Sequence, residues 1–174
     1  MCGSHLAAVL LSIIALPLLG GAQAPQLPRA TQAIPDDTII TLQRGNCEGG
    51  CPVYRVIIFS DGDVIWNGQE HVAKTGVILS HIEPNQIRAL LASFEAADYF
   101  HLENIYGYRG KACPQADIGK VMTRTTLVTG GRSQTMSHYA GCVGPVPDQL
   151  SAIEKKIDQT VNTSRWITGK TPAK

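Results

Sequence analysis

Cysteine and histidine, five of each in 174 residues, are the side chains here best suited to chemistry. Cys47 and Cys51 are separated only by Glu48, Gly49 and Gly50, and Pro52 follows them into the apolar run Val53 to Ser60 (VYRVIIFS). A redox-active pair usually has two intervening residues and stands at a helix N-terminus, where the thiolate is stabilised. This pair has three, two of them glycine, and leads into a strand pattern. The glycines let the chain curl far enough to close a small ring. A structural bond is therefore the favoured reading, with a thiol–disulfide oxidoreductase using Cys47 and Cys51 as the alternative.

Zinc is the next chemistry these residues permit. Beside the cysteines stand His71, His81, His101 and His138, but no paired Cys-x2–4-Cys knuckles or His-x3–5-His helix is present. A metal-binding protein thus stays a second alternative, with no ligand set, no cofactor and no metal expected. Nucleophilic hydrolysis has little to work with: Gly-x-Ser-x-Gly, His-Glu-x-x-His and a phosphate-cradling glycine loop are all missing. Ser137 and His138 are adjacent on a strand pattern and so point to opposite faces. No catalytic residue is assigned.

The charge balance narrows the partners. Fifteen Lys and Arg face fourteen Asp and Glu, all after residue 24 and without a long run of either sign. Binding to phosphate backbones needs a clustered basic excess, so nucleic acid is excluded as the expected partner.

Residues 1–24 read as a signal peptide. Leu6 to Leu19 is apolar apart from Ser12, and its 14 residues fall short of the ~20 that span a bilayer. Cleavage is expected after Ala22 or Ala24; an uncleaved anchor is the competing reading. No later run is long enough to cross a membrane. Removal of the signal takes Cys2 away and leaves Cys47, Cys51, Cys113 and Cys142, an even set that suits a disulfide framework with three possible pairings. Chain entropy gives roughly 2 kcal/mol for a Cys47–Cys51 ring and about 3.5 kcal/mol for a Cys113–Cys142 loop.

The elements that must position these residues follow from periodicity. Residues 25–37, with three prolines, read as a flexible lead-in. Thr38 to Arg44 is β-branched and alternating, a first strand. Val53 to Ser60 is apolar on both faces, a central strand. Asp61-Gly62 turns the chain into a third strand at Asp63 to Trp66, and Asn67-Gly68 reads as a further turn. One or two short strands are expected within Gln69 to His81. Pro84 opens a helix whose stripe is Ile87, Leu90, Leu91, Phe94 and Ala97. Tyr106 to Asp117 reads as a loop. Val121 to Thr129 and Arg132 to Tyr139 form a hairpin about Gly130-Gly131. Gly141 to Pro147 breaks the pattern, and Asp148 to Val161 is a second helix with Leu150, Ile153, Ile157 and Val161 inward. The expected class is α+β: a single domain at 38–167, an antiparallel β-sheet with two amphipathic helices packed on one face, and a polar tail at 168–174.

These residues carry a resemblance. Cys47, Gly49, Cys51, Pro52 and Tyr54 spell Cys-x-Gly-x-Cys-Pro-x-Tyr, ahead of Asp61-Gly62 and of His138-Tyr139-Ala140-Gly141-Cys142. The pattern resembles the bacterial domain of unknown function 6438, over about residues 38–167. The resemblance implies an exported bacterial domain without an established activity. The functional expectation is an exported, disulfide-stabilised, non-enzymatic binding or structural module, periplasmic or extracellular, whose partner is an unknown protein or envelope component.

Overall fold

Seven strands form one sheet in the structure, a computed structural model that describes residues 33–170. They are β1 (Ile39–Arg44), β2 (Val53–Phe59), β3 (Asp63–Glu70), β4 (Gly76–His81), β5 (Ile105–Tyr106), β6 (Met122–Thr129) and β7 (Arg132–Tyr139). Helices α1 (Pro84–Ala96), α2 (Pro145–Val161) and the one-turn α3 (Ser164–Ile167) complete the fold. The sheet order is β4-β3-β2-β1-β6-β7-β5, antiparallel except where the two-residue β5 joins β7 in parallel. The expected signal peptide and most of the lead-in lie outside the described residues, as do positions 171–174 of the tail.

One face of the sheet is covered by the helices and buried through its centre, and the other is partly open. On the buried face, Val64, Ile58, Ile40 and Leu127 form one cross-strand row, and Trp66, Val56, Leu42, Thr125 and Met136 the next. Against these rows α1 sets Ile87, Leu90 and Phe94, and α2 sets Leu150, Ile153, Ile157 and Val161. Both expected stripes are thus core. The Tyr99 hydroxyl donates to the carbonyl of Thr125 at 2.8 Å, and its ring meets Phe94 edge-on. On the opposite face Val53, Ile57 and Phe59 of β2 are only half-buried. The apolar character of both faces of β2 does reflect a central strand, but no helix among the described residues covers the second one.

Turn chemistry is where expectation and structure agree best. Gly62 has φ +97°, and a Cβ there would collide with the carbonyl oxygen of Ile82. Gly62→Ala is expected to cost about 1–3 kcal/mol in urea unfolding, through backbone strain and that collision. Gly130 and Gly131 both have positive φ, the requirement of a type I′ hairpin turn. Asp37 accepts both their amides, at 2.8 and 2.7 Å, so the lead-in ends as a clamp on the β6–β7 turn. The Gly131 and Gly130 amides hold the Asp37 carboxyl below its ordinary value of 3.8. Its folded pKa is therefore below its unfolded one. The stabilisation is present above the unfolded value and is lost as pH falls through the folded value. Thermal unfolding followed over acid pH should accordingly show a shallower slope in Asp37→Asn.

Two local expectations are corrected, and the short strand expected within Gln69 to His81 is found. Asn67-Gly68 is no turn but the interior of β3, paired with Arg55 and Tyr54 of β2. Gly68 is there because a Cβ would strike the carbonyl of Lys74 and lie 2.9 Å from Trp66 Nε1, a close backbone approach. The stretch Gln69 to His81 holds the end of β3 and the single strand β4. Helix α2 begins at Pro145 rather than Asp148, because Pro145 and Pro147 both sit in its first turn, where no N–H is needed.

Candidate functional site

At one end of the buried sheet face the cross-strand row changes character. Gly68, Tyr54, Arg44, Thr123, His138 and Tyr106 lie side by side across β3, β2, β1, β6, β7 and β5. Strand alternation carries polar residues to the covered side here, directly beneath α2. Glu154 and Asp158, one helical turn apart on α2, face this row.

Arg44 is the hub. Its Nε and Nη2 donate to Asp158 Oδ2 at 3.0 and 2.7 Å, its Nε also reaches the Tyr54 hydroxyl at 3.1 Å, and its Nη1 meets Thr123 Oγ1 at 3.1 Å and Glu154 Oε2 at 3.3 Å. Tyr54 donates its phenol to Asp158 Oδ1 at 2.6 Å, an oxygen that also accepts from Thr163 Oγ1 at 3.0 Å. Glu154 turns its other oxygen to His138 Nδ1 at 2.8 Å. The side chains of His138 and Glu154 are 2% and 4% exposed, so this bridge is out of reach of water. Arg44 and Asp158, at 19% each, form its outer end.

The electrostatics fix the charge states of the hub. Burial alone would lower the Arg44 pKa, but the charges of Asp158 and Glu154 outweigh it and raise the value. Burial raises the Tyr54 phenol, and Asp158 raises it further against the opposing pull of Arg44. Both shifts run away from neutrality. Catalytic tuning brings a group towards the working pH instead, so Arg44 stays a cation and Tyr54 a proton donor. The Thr123 hydroxyl, cross-strand neighbour of His138, is engaged by Arg44.

The cysteines flank this row. Cys47 and Cys51 are joined across the β1–β2 connection, 5.3 Å apart at Cα, immediately beyond Arg44 and before Tyr54. Gly49 and Gly50 both take positive φ within the ring. Cys113 is joined to Cys142, 5.5 Å apart at Cα, and ties the long loop after β5 to the end of β7, four residues past His138. An isolated bridge between Ala116 and Cys142 aligns that loop further. Of the signature residues, Tyr54 enters the polar row, Gly49 lies within the ring and Pro52 directly follows it.

The four described histidines do not converge. The His71 ring lies against Gly50, His81 meets Asp63, His101 meets Asp98, and His138 meets Glu154. Among the described residues no group of three or more His, Cys, Asp or Glu is placed to hold a metal ion. No helix among them is long and apolar enough to cross a membrane. A cavity of about 650 Å³ opens beside α1, walled by Leu91, Phe94, Phe100 and Leu127, with Arg88 and Arg132 among its polar residues. The Arg132 guanidinium stacks 4.1 Å over the Phe100 ring.

A family model described as a domain of unknown function (DUF6438) matches residues 38–161. The chain belongs to the DUF6438 family. The DUF6438 match starts at Thr38, just ahead of β1, and stops at Val161, the last residue of α2, so it takes in both disulfides and the whole polar row. No curated protein matches the chain.

Sequence reasoning missed Arg44, Glu154 and Asp158. In α2, Glu154 and Asp158 each directly follow a core residue, Ile153 and Ile157. A stripe drawn at 150, 153, 154, 157, 158 and 161 would have placed two carboxylates inside and asked which cation meets them. Arg44, the last residue of β1 and its one charged residue, was the available answer.

Proposed function

We propose that this DUF6438 domain is an exported, disulfide-clasped binding module of the bacterial cell envelope. The observation that carries the reading is the closure of both cysteine pairs, Cys47–Cys51 and Cys113–Cys142, which suits an oxidising compartment. The apolar stretch Leu6 to Leu19 supports the same compartment, with residues 1–24 as the signal, 25–37 as the lead-in, 38–167 as the domain and 168–174 as the tail. A non-catalytic role is supported by the polar row: the Tyr54 and Thr123 hydroxyls and the Arg44, Glu154 and Asp158 charges are engaged with one another and sew α2 to the sheet. The apolar cavity beside α1 is a surface on which a protein or envelope component would be bound.

Expression of the tagged full chain in a bacterium with two membranes tests the compartment. The expected result is recovery by osmotic shock, a mature chain starting at Gln23 or Pro25, and four cysteines that resist alkylation until reduced. A chain kept in the cytoplasm with alkylatable thiols at Cys47 and Cys51 would contradict it.

A further inference from the structure

The sheet carries a second polar row, opposite in character to the one beneath α2. On the face that no helix among the described residues covers, Asn67, Arg55, Gln43, Arg124 and Ser137 stand side by side across β3, β2, β1, β6 and β7. Arg55 and Arg124 are exposed, and the other three are half-buried. Beneath α2 the arginine is bound by carboxylates. Here none of the five side chains makes a hydrogen bond or an ion pair with a described residue. Of the carboxylates on β3, Asp63 meets His81 and Glu70 stands opposite Val53 at a register shift, and neither pairs with an arginine. The adjoining row, Ile65, Ile57, Thr41, Thr126 and Thr135, adds no charge. Fifteen Lys and Arg face fourteen Asp and Glu in the whole chain, so two unbalanced arginines in one row are a local excess.

We propose that this row binds an acidic polysaccharide, with Arg55 and Arg124 on carboxylates of successive disaccharide units and Gln43 on a hydroxyl between them. Two strand spacings separate the arginines, about 10 Å, which is the length of a disaccharide unit. Carboxylates on one side of an extended peptide recur about every 6.8 Å, and phosphates of a duplex strand about every 3.4 Å. Neither chain matches the pair. A guanidinium fork meets a planar carboxylate with two parallel hydrogen bonds. Amide and hydroxyl side chains both donate and accept, as sugar hydroxyls do, so Gln43, Asn67 and Ser137 suit the uncharged part of such a chain. The row lies across the sheet from the cavity beside α1 and does not depend on it.

Calorimetric titration of the full chain, purified with its disulfides closed, with hyaluronan reads the binding, since that polymer carries one carboxylate per disaccharide. Saturable binding that weakens with added salt is expected. Arg55→Ala and Arg124→Ala should each raise the dissociation constant at least about tenfold, with the circular dichroism spectrum unchanged. Arg88→Ala, on the helix side of the sheet, should leave it as it is. Polyglutamate and neutral dextran should each bind at least about tenfold more weakly than hyaluronan. Hyaluronan that does not bind would overturn the proposal, as would undiminished affinity in Arg55→Ala and Arg124→Ala. Equal weakening by Arg88→Ala would overturn it in favour of unspecific attraction. Polyglutamate bound as tightly as hyaluronan would overturn it in favour of an acidic protein, and dextran bound as tightly would remove the role of charge.

Discussion

Arg44→Met is expected to destabilise the domain by about 3–5 kcal/mol, the cost of leaving buried carboxylates without their cation. The substitution removes the ion-pair partner of Asp158 and one of the two partners of Glu154, whose side chain is 4% exposed. It also removes the guanidinium contact to the Tyr54 phenol. Arg44→Lys keeps the charge and loses the two-pronged geometry towards Asp158, so it should fall between wild type and Arg44→Met. The double variant R44M/D158L should lose less than the sum of its single changes, since each deletion strands what the other removes. Urea unfolding of wild type, Arg44→Met, Arg44→Lys, Asp158→Leu and R44M/D158L checks this. A loss under about 1 kcal/mol for Arg44→Met would mean that α2 is held by its apolar stripe alone.

Removing the long disulfide is the second large effect. Cys113→Ala with Cys142→Ala should cost about 3.5 kcal/mol, against roughly 2 kcal/mol for Cys47→Ala with Cys51→Ala. The difference follows from loop length, because the sequence separations are 29 and 4. Both pairs flank the polar row, so the two losses report on different ends of it. Local backbone bonds remain in the first double variant, including Asp117 N–H to the Gly141 carbonyl at 2.9 Å, and keep the loop near β7. Equal losses, or a larger one for the small ring, would contradict the chain-entropy account.

The fold was legible wherever one residue type has one physical use. Asp61-Gly62 and Gly130-Gly131 announce turns because Gly62, Gly130 and Gly131 take positive φ, and the stripes Ile87–Leu90–Phe94 and Leu150–Ile153–Ile157–Val161 announce buried helix faces. Where a residue has two uses, the pattern misled. Gly68 looks like a turn but serves to let Trp66 and the Lys74 backbone close in, which is a tertiary fact. Pro145 and Pro147 look like breakers and instead start α2. The parallel β5 was invisible, since two residues carry no period. The polar row was invisible for a different reason. Its members come from separate strands and from α2, and only the sheet register places Arg44 between Tyr54 and Thr123. The cysteines, by contrast, stood out at once, and the structure gives them a setting: each pair fastens one end of that row.

The central claim is that the Cys47–Cys51 ring is a clasp holding the strand ends that carry Arg44 and Tyr54, rather than a redox centre. The most direct test is the reduction potential of that pair, measured by mass spectrometry of alkylated peptides after equilibration in defined thiol buffers. A value below about −300 mV is predicted, as for structural bonds. A value between about −270 and −120 mV, the range of thiol–disulfide oxidoreductases, would contradict the account and return Cys47 and Cys51 to catalysis.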